Sequence, residues 1–135
     1  MLISQTSRYA LQAAVYLAGH WGEDRLVPVG QIAEALDVPR NYLSKTLHQL
    51  ARNGVLVSVR GPGGGFRLAG DPSEVKLVEI VLPVEPGLGE RHCLLGRSTC
   101  SDDDACPAHE RWRELADQSR RFLEETCLID LVRDV

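Results

Sequence analysis

The stretch PRNYLSKTLHQLARNGVLVSVRGPGGGFRLA, residues 39–69, decides how this chain folds. Pro39 suits the start of a helix, where its missing N–H leaves nothing unpaired, and Gly54 is a C-terminal stop. Between them a helix is expected over about Arg40 to Asn53. Leu43, Leu47 and Leu50 form its apolar stripe, while Asn41, Ser44, Lys45 and His48 recur at i, i+3, i+4, i+7 on the opposite side. A solvated helix face usually mixes Glu with Lys. This one carries short and medium hydrogen-bonding side chains and no acid. Such groups suit base edges and phosphates in a major groove; an ordinary helical hairpin is the plain alternative.

After Gly54 come two β-type runs, VLVSVR (55–60) and FRLA (66–69), around the turn GPGGG (61–65). They predict a hairpin. Its glycine-rich tip lets the backbone approach another molecule closely. Arg60 and Arg67 flank that tip, and an arginine there suits a narrow, A/T-rich minor groove. The alternative is a plain turn with two solvated arginines. GPGGG is not a nucleotide loop, because no Walker lysine follows and no βαβ unit surrounds it.

Working upstream, Val29, Ile32, Ala33 and Leu36 mark one face of a short helix that Asp37-Val38-Pro39 ends. Two short helices joined by a tight turn and followed by a hairpin make a winged helix-turn-helix. Ser4 is a plausible N-cap for a first helix through about Gly19. That helix is apolar nearly all round (Tyr9, Ala10, Leu11, Ala13, Ala14, Val15, Leu17) and is expected to be largely buried. Charge agrees with a DNA-binding head. Residues 1–70 hold seven Lys/Arg and four Asp/Glu, for +3, while residues 71–135 hold eight and fifteen, for −7.

Working downstream, Lys76 to about Val81 predicts a short helix, and residues 83–107 read as a long loop. In and just past it, Cys93, Cys100, Cys106 and His109 fall within seventeen residues as C-x6-C-x5-C-x2-H. Thiolate and imidazole are the ligands that soft and borderline metals prefer. Asp102, Asp103 and Asp104 read as loop solvation, and Cys127, in an apolar stretch, as a small core residue. From Pro107 a helical pattern returns. Ala108, Trp112, Leu115, Ser119, Phe122 and Thr126 form a heptad seam that Ala116 and Leu123 widen. A second copy of the chain is expected to cover it through Trp112, Leu115, Ser119 and Phe122; the alternative is that it packs on the chain's own first helix. Leu128 to Val132 predict a short terminal helix.

The opening residues lack a basic start followed by an apolar run, and no run of 18 apolar residues occurs, so a cytoplasmic protein is expected. There a cysteine cluster points to metal or redox chemistry rather than to structural disulfides. No nucleophile–base pair or cofactor loop suggests an enzyme.

At this point the chain resembles the IscR and NsrR group of winged-helix regulators, the Rrf-type family. The residues that carry the resemblance are Ser7-Arg8-Tyr9-Ala10-Leu11, Asn41-Tyr42-Leu43, the wing string Ser58 to Phe66, the three-cysteine loop and Trp112. It runs over essentially the whole chain. It implies a mostly α fold with a small β-hairpin wing. Residues 1–82 would be the winged helix-turn-helix, 83–107 a cluster-binding loop, and 108–135 a dimerisation helix and tail. It further implies a homodimeric transcription factor, commonly a repressor, holding an iron–sulfur cluster whose state changes promoter affinity. Its DNA contacts are expected from Arg40, Asn41, Tyr42, Ser44, Lys45, His48, Arg60, Gly61, Gly63 and Gly64, and the two-fold symmetry of a dimer predicts a near-palindromic operator.

The IscR-like pattern uses three cysteines and a histidine two residues after the last, as in Cys106-Pro107-Ala108-His109; the NsrR-like pattern uses an acid near the start of the first helix. Here Arg8 holds that place and no Asp or Glu precedes Glu23. The resemblance therefore implies Cys93, Cys100, Cys106 and His109 as ligands to a [2Fe–2S] cluster, with [4Fe–4S] as the alternative. Two departures stand out: the first cysteine gap is one residue longer than in the IscR-like pattern, and Ser44 replaces an acidic residue of the recognition helix. A structural zinc site and a cluster-free thiol–disulfide switch are the rivals. Gaps of six and five residues are wider than the usual zinc knuckle.

Overall fold

The computed structural model describes residues 3–89, 94–95 and 107–132. Helix α1 (Gln5–Ala18) begins where expected: the Ser4 hydroxyl accepts from the Ser7 backbone N–H at 3.1 Å, a side-chain N-cap. Its burial is one-sided rather than all-round. Ala10, Ala13, Ala14, Leu17 and Ala18 are buried, whereas Tyr9, Leu11, Val15 and Tyr16 are only half-buried against the core. Small residues on the inner face let α1 lie close to its neighbours, and the larger ones roof the edges of the core.

Helices α2 (Val29–Leu36) and α3 (Arg40–Arg52) form the helix-turn-helix. The turn is made by Asp37, whose φ of 54° puts it in the left-handed region, and α3 starts directly after Pro39. Ile32 and Ala33 of α2 meet Leu43, Leu47 and Leu50 of α3 in one apolar cluster. The Gln31 amide donates to Tyr16 Oη at 2.9 Å, fastening α2 to α1.

Strands β1 (Leu56–Val59) and β2 (Gly65–Leu68) pair antiparallel, with Leu56 opposite Leu68 and Val59 opposite Gly65. The wing also has a third contributor that the sequence pattern did not announce. Val27 and Phe66 exchange both backbone hydrogen bonds, each at 2.8 Å. This close approach explains Gly65: a Cβ there would stand 2.4 Å from the Val27 carbonyl oxygen. At Gly64 a Cβ would meet the Val59 carbonyl at 2.2 Å. Only glycine allows these two approaches.

Helix α4 (Leu77–Val81) follows, with Leu77, Ile80 and Val81 buried. The segment after it, expected to be plain loop, instead forms a 3-10 turn over Pro86–Gly89, and Val84 and Leu88 pack against the core. Helix α5 (His109–Glu125) packs on α4. Its C-terminal end returns to the root of the wing: Leu77 N–H donates to Thr126 O, Leu128 N–H to Val75 O and Ile129 N–H to Pro72 O, at 2.8–3.1 Å. The chain's last described turn, Leu128–Leu131, is 3-10 rather than α, with Leu128 buried. Cys127 is half-buried rather than a core residue, and Lys76 Nζ donates to its sulfur at 3.3 Å. Among the described residues no helix is long and apolar enough to cross a membrane.

Candidate nucleic-acid interface and ligand histidine

Helix α3 turns Leu43, Thr46, Leu47 and Leu50 inward. That leaves Arg40, Asn41, Tyr42, Lys45 and His48 exposed and Ser44 half-buried on the outer side. The expected polar face therefore exists as one surface, and α3 carries no acidic residue to repel a phosphate. On the wing, Arg60, Gly61, Gly63 and Arg67 are exposed. A Cβ at Gly61 or Gly63 would meet nothing within 4 Å, so the tip stands clear of the body.

Two of the outward residues are held by partners that sequence reasoning missed. Tyr42 packs edge-on against Tyr9 of α1 with ring centroids 5.4 Å apart, and its hydroxyl shares a 2.5 Å hydrogen bond with Thr6 Oγ1. His48 packs edge-on against Phe66 of the wing at 5.2 Å, and its Nδ1 lies 2.7 Å from the Ser44 carbonyl oxygen. The recognition helix is thus clamped at its start by α1 and in its middle by the wing. The available signal was an aromatic residue at each place, Tyr9 and Phe66, which a one-dimensional pattern assigns only to the core.

A second anchor joins α1 to the segment that leads toward the cysteines. Glu85 Oε2 accepts from the fully buried Ser7 hydroxyl at 2.5 Å, and Glu85 Oε1 accepts from Ser4 N–H at 3.3 Å. The negative carboxylate thereby sits at the positive end of a helix.

Of the expected ligand set, Cys93, Cys100 and Cys106 lie outside the described residues. His109 lies within them, in the first turn of α5, and is buried to 6% exposure. Among the described residues no three His, Cys, Asp or Glu side chains form a metal group. On α5, Leu123 turns out to be buried in the chain's own core instead of widening the seam, while Leu115 (45%) and Phe122 (56%) are exposed and Trp112 and Ser119 half-buried. Arg113 and Asp117, one turn apart on the same helix, pair at 3.9 Å.

Residues 3–134 match the Rrf2 family, described as iron-dependent transcriptional regulators. The chain belongs to the Rrf2 family. It is similar to a protein of Aquifex aeolicus (strain VF5) assigned as an HTH-type transcriptional regulator, 40% identical over 98% of this chain and 92% of that one. The HTH-type transcriptional regulator IscR of Photorhabdus laumondii is 34% identical over 99% of this chain and 80% of its own. Among solved structures, CymR (YrzC), the global cysteine regulator of B. subtilis, superposes with a TM-score of 0.84 at 25% identity, covering 100% of this chain and 98% of that one. The IscR of T. potens gives 0.78 at 26% identity, covering 99% and 88%. These Rrf2 relatives are winged-helix transcriptional regulators rather than enzymes, and so is this chain.

Proposed function

We propose that this Rrf2-family protein is a cytoplasmic, homodimeric, sequence-specific DNA-binding regulator whose promoter affinity is set by an iron–sulfur cluster. The observation that carries the DNA reading is the acid-free outer face of α3 beside a wing whose tip stands clear of the body. Arg40, Asn41, Tyr42, Ser44, Lys45 and His48 would meet the major groove, and Arg60, Gly61, Gly63 and Gly64 the backbone or minor groove.

The donor set fits the cluster. Three thiolates and one imidazole are ligands found on [2Fe–2S] centres. Cys93, Cys100, Cys106 and His109 would hold it, and a buried His109 at the start of α5 suits a ligand shielded from bulk water. A [4Fe–4S] cluster is the alternative. When bound, the cluster supplies one-electron chemistry and lability toward oxidants or nitric oxide. The rest belongs to the chain. His109 begins α5, and α5 ends hydrogen-bonded to the strand-like segment at the root of the wing. One continuous helix therefore connects the ligand histidine to the DNA-binding head. Leu115 and Phe122 leave an apolar face on that helix, which a second copy would cover. Two-fold pairing calls for a near-palindromic operator.

A second reading has its own support. The structural neighbours include CymR of Staphylococcus aureus in an oxidised form. A thiol switch without a cluster, using the same cysteines, would serve the same head. The test is operator binding by anaerobically purified protein before and after the cluster is removed with a ferrous chelator. The cluster reading expects affinity to change on removal. Unchanged affinity, with a response only to diamide-driven disulfide formation, would favour the thiol switch.

A further inference from the structure

The recognition helix holds one side chain whose neutral tautomer is chosen by the helix's own backbone. His48 is exposed on the outer face of α3. Its Nδ1 lies 2.7 Å from the Ser44 carbonyl oxygen, one helical turn back, and 3.4 Å from the Ser44 hydroxyl. A carbonyl oxygen only accepts, so Nδ1 carries the hydrogen. A neutral imidazole has one N–H, which makes Nε2 an acceptor. Phe66 of the wing packs edge-on against the ring, with centroids 5.2 Å apart.

In the major groove, a lone acceptor pairs with a hydrogen-bond donor. The only donors that base pairs present there are the exocyclic amino groups, N6 of adenine and N4 of cytosine; guanine offers acceptors alone and thymine an acceptor and a methyl. We infer that His48, with its tautomer fixed by Ser44 and its ring braced by Phe66, is a specificity-determining residue that reads an exocyclic amino group through Nε2. The inference rests on the reading above, that the outer face of α3 enters the major groove. Ser44 and Phe66 act as positioning residues for it.

The test starts from a duplex that the wild-type protein selects out of a randomised pool. Single bases in that duplex are then replaced: purine for adenine and 2-pyrimidinone for cytosine, each lacking only the amino group, and 7-deazaguanine for guanine, lacking the N7 acceptor. Binding of wild type and His48→Ala is compared for every replacement, so that weakened base pairing, common to both proteins, cancels. The expected result is one adenine or cytosine position where losing the amino group weakens wild type by about tenfold and leaves His48→Ala unaffected, tenfold lying within the range of a single good base contact. The purine and 2-pyrimidinone arms tell which of the two bases it is. If the His48-dependent position responds instead to 7-deazaguanine, the ring is a charged donor and the inference is overturned. It is also overturned if no position depends on His48 while Asn41→Ala still changes the selected sequence. Should neither variant change the selected sequence, it is the placement of α3 in the groove that fails.

Discussion

The hydroxyl of Ser7, wholly buried in the first turn of α1, donates to Glu85 Oε2 at 2.5 Å across 78 residues of sequence. This bond fastens the segment after α4 to the start of the molecule. Hydrogen bonds to charged groups contribute about 1.5–3 kcal/mol, and a buried polar group left alone costs a similar amount. Ser7→Ala is expected to lower the unfolding free energy by about 2 kcal/mol. Glu85→Gln, which keeps shape and some bonding, is expected to cost less. Urea unfolding of the two variants and their double mutant measures the coupling. Fully additive effects would show that the pair does not act as one unit.

The wing makes different demands on its glycines. Gly65 has no room for a Cβ because the Val27 backbone lies against it, whereas Gly63 has open space around it and only a φ of 77° to contend with. Gly63→Ala is therefore expected to cost about 1–2 kcal/mol, the left-handed penalty alone. Gly65→Ala is expected to cost more, because strand pairing with Val27 must also give way. Thermal unfolding of both variants ranks them, and the reverse order would mean that Val27 does not pair with the wing.

Asp71 opens the turn between the wing and α4. The Ser73 backbone N–H and hydroxyl both donate to its Oδ1, at 2.9 and 2.8 Å, and hold its carboxyl below the usual aspartate range. A depressed pKa in the folded state stabilises it above the unfolded value, and the contribution fades as pH falls through the folded one. Asp71→Ala is expected to melt below wild type near neutral pH, with the gap closing in the acid range beneath the ordinary aspartate pKa. A gap independent of pH would point to a loss of packing instead.

The helix-turn-helix and both strands of the wing were legible in the chain because each carries its own local signature. Three leucines repeat along α3, Pro39 and Gly54 punctuate it, and a glycine run separates two β-type segments. What escaped was long-range pairing. Val27 is a single bridging residue, too short to show alternation, and the bonds between residues 72–77 and 126–129 join segments far apart in the sequence. Those bonds also explain Leu123. It lies about 100° round the helix from Phe122, so the two point to different sides. The last turn of α5 is drawn back onto the head, which buries Leu123 and leaves Phe122 outside. The polar face of α3 was readable residue by residue; the clamps on Tyr42 and His48 were not, because Thr6, Tyr9 and Phe66 reach them only through the tertiary fold.

The exposed side of α5 predicts assembly. Burying a large apolar side chain contributes about 1.5–3 kcal/mol. Leu115→Asp with Phe122→Asp is expected to turn a micromolar dimer into a monomer while leaving the head folded, since both residues are exposed within one chain. Sedimentation of wild type and variant decides it. A wild type that sediments as a monomer would leave that face without its proposed partner.

The iron and acid-labile sulfide content of the protein purified without oxygen, read with its absorption spectrum, decides whether it holds a cluster. A [2Fe–2S] centre on Cys93, Cys100, Cys106 and His109 predicts a brown protein with about two irons and two sulfides per chain. Alanine at any of the three cysteines is expected to abolish it, and Cys127→Ala, a thiol already engaged by Lys76, to leave it intact. A colourless protein carrying one zinc per chain, or no metal at all, would mean that no iron–sulfur cluster sets its promoter affinity.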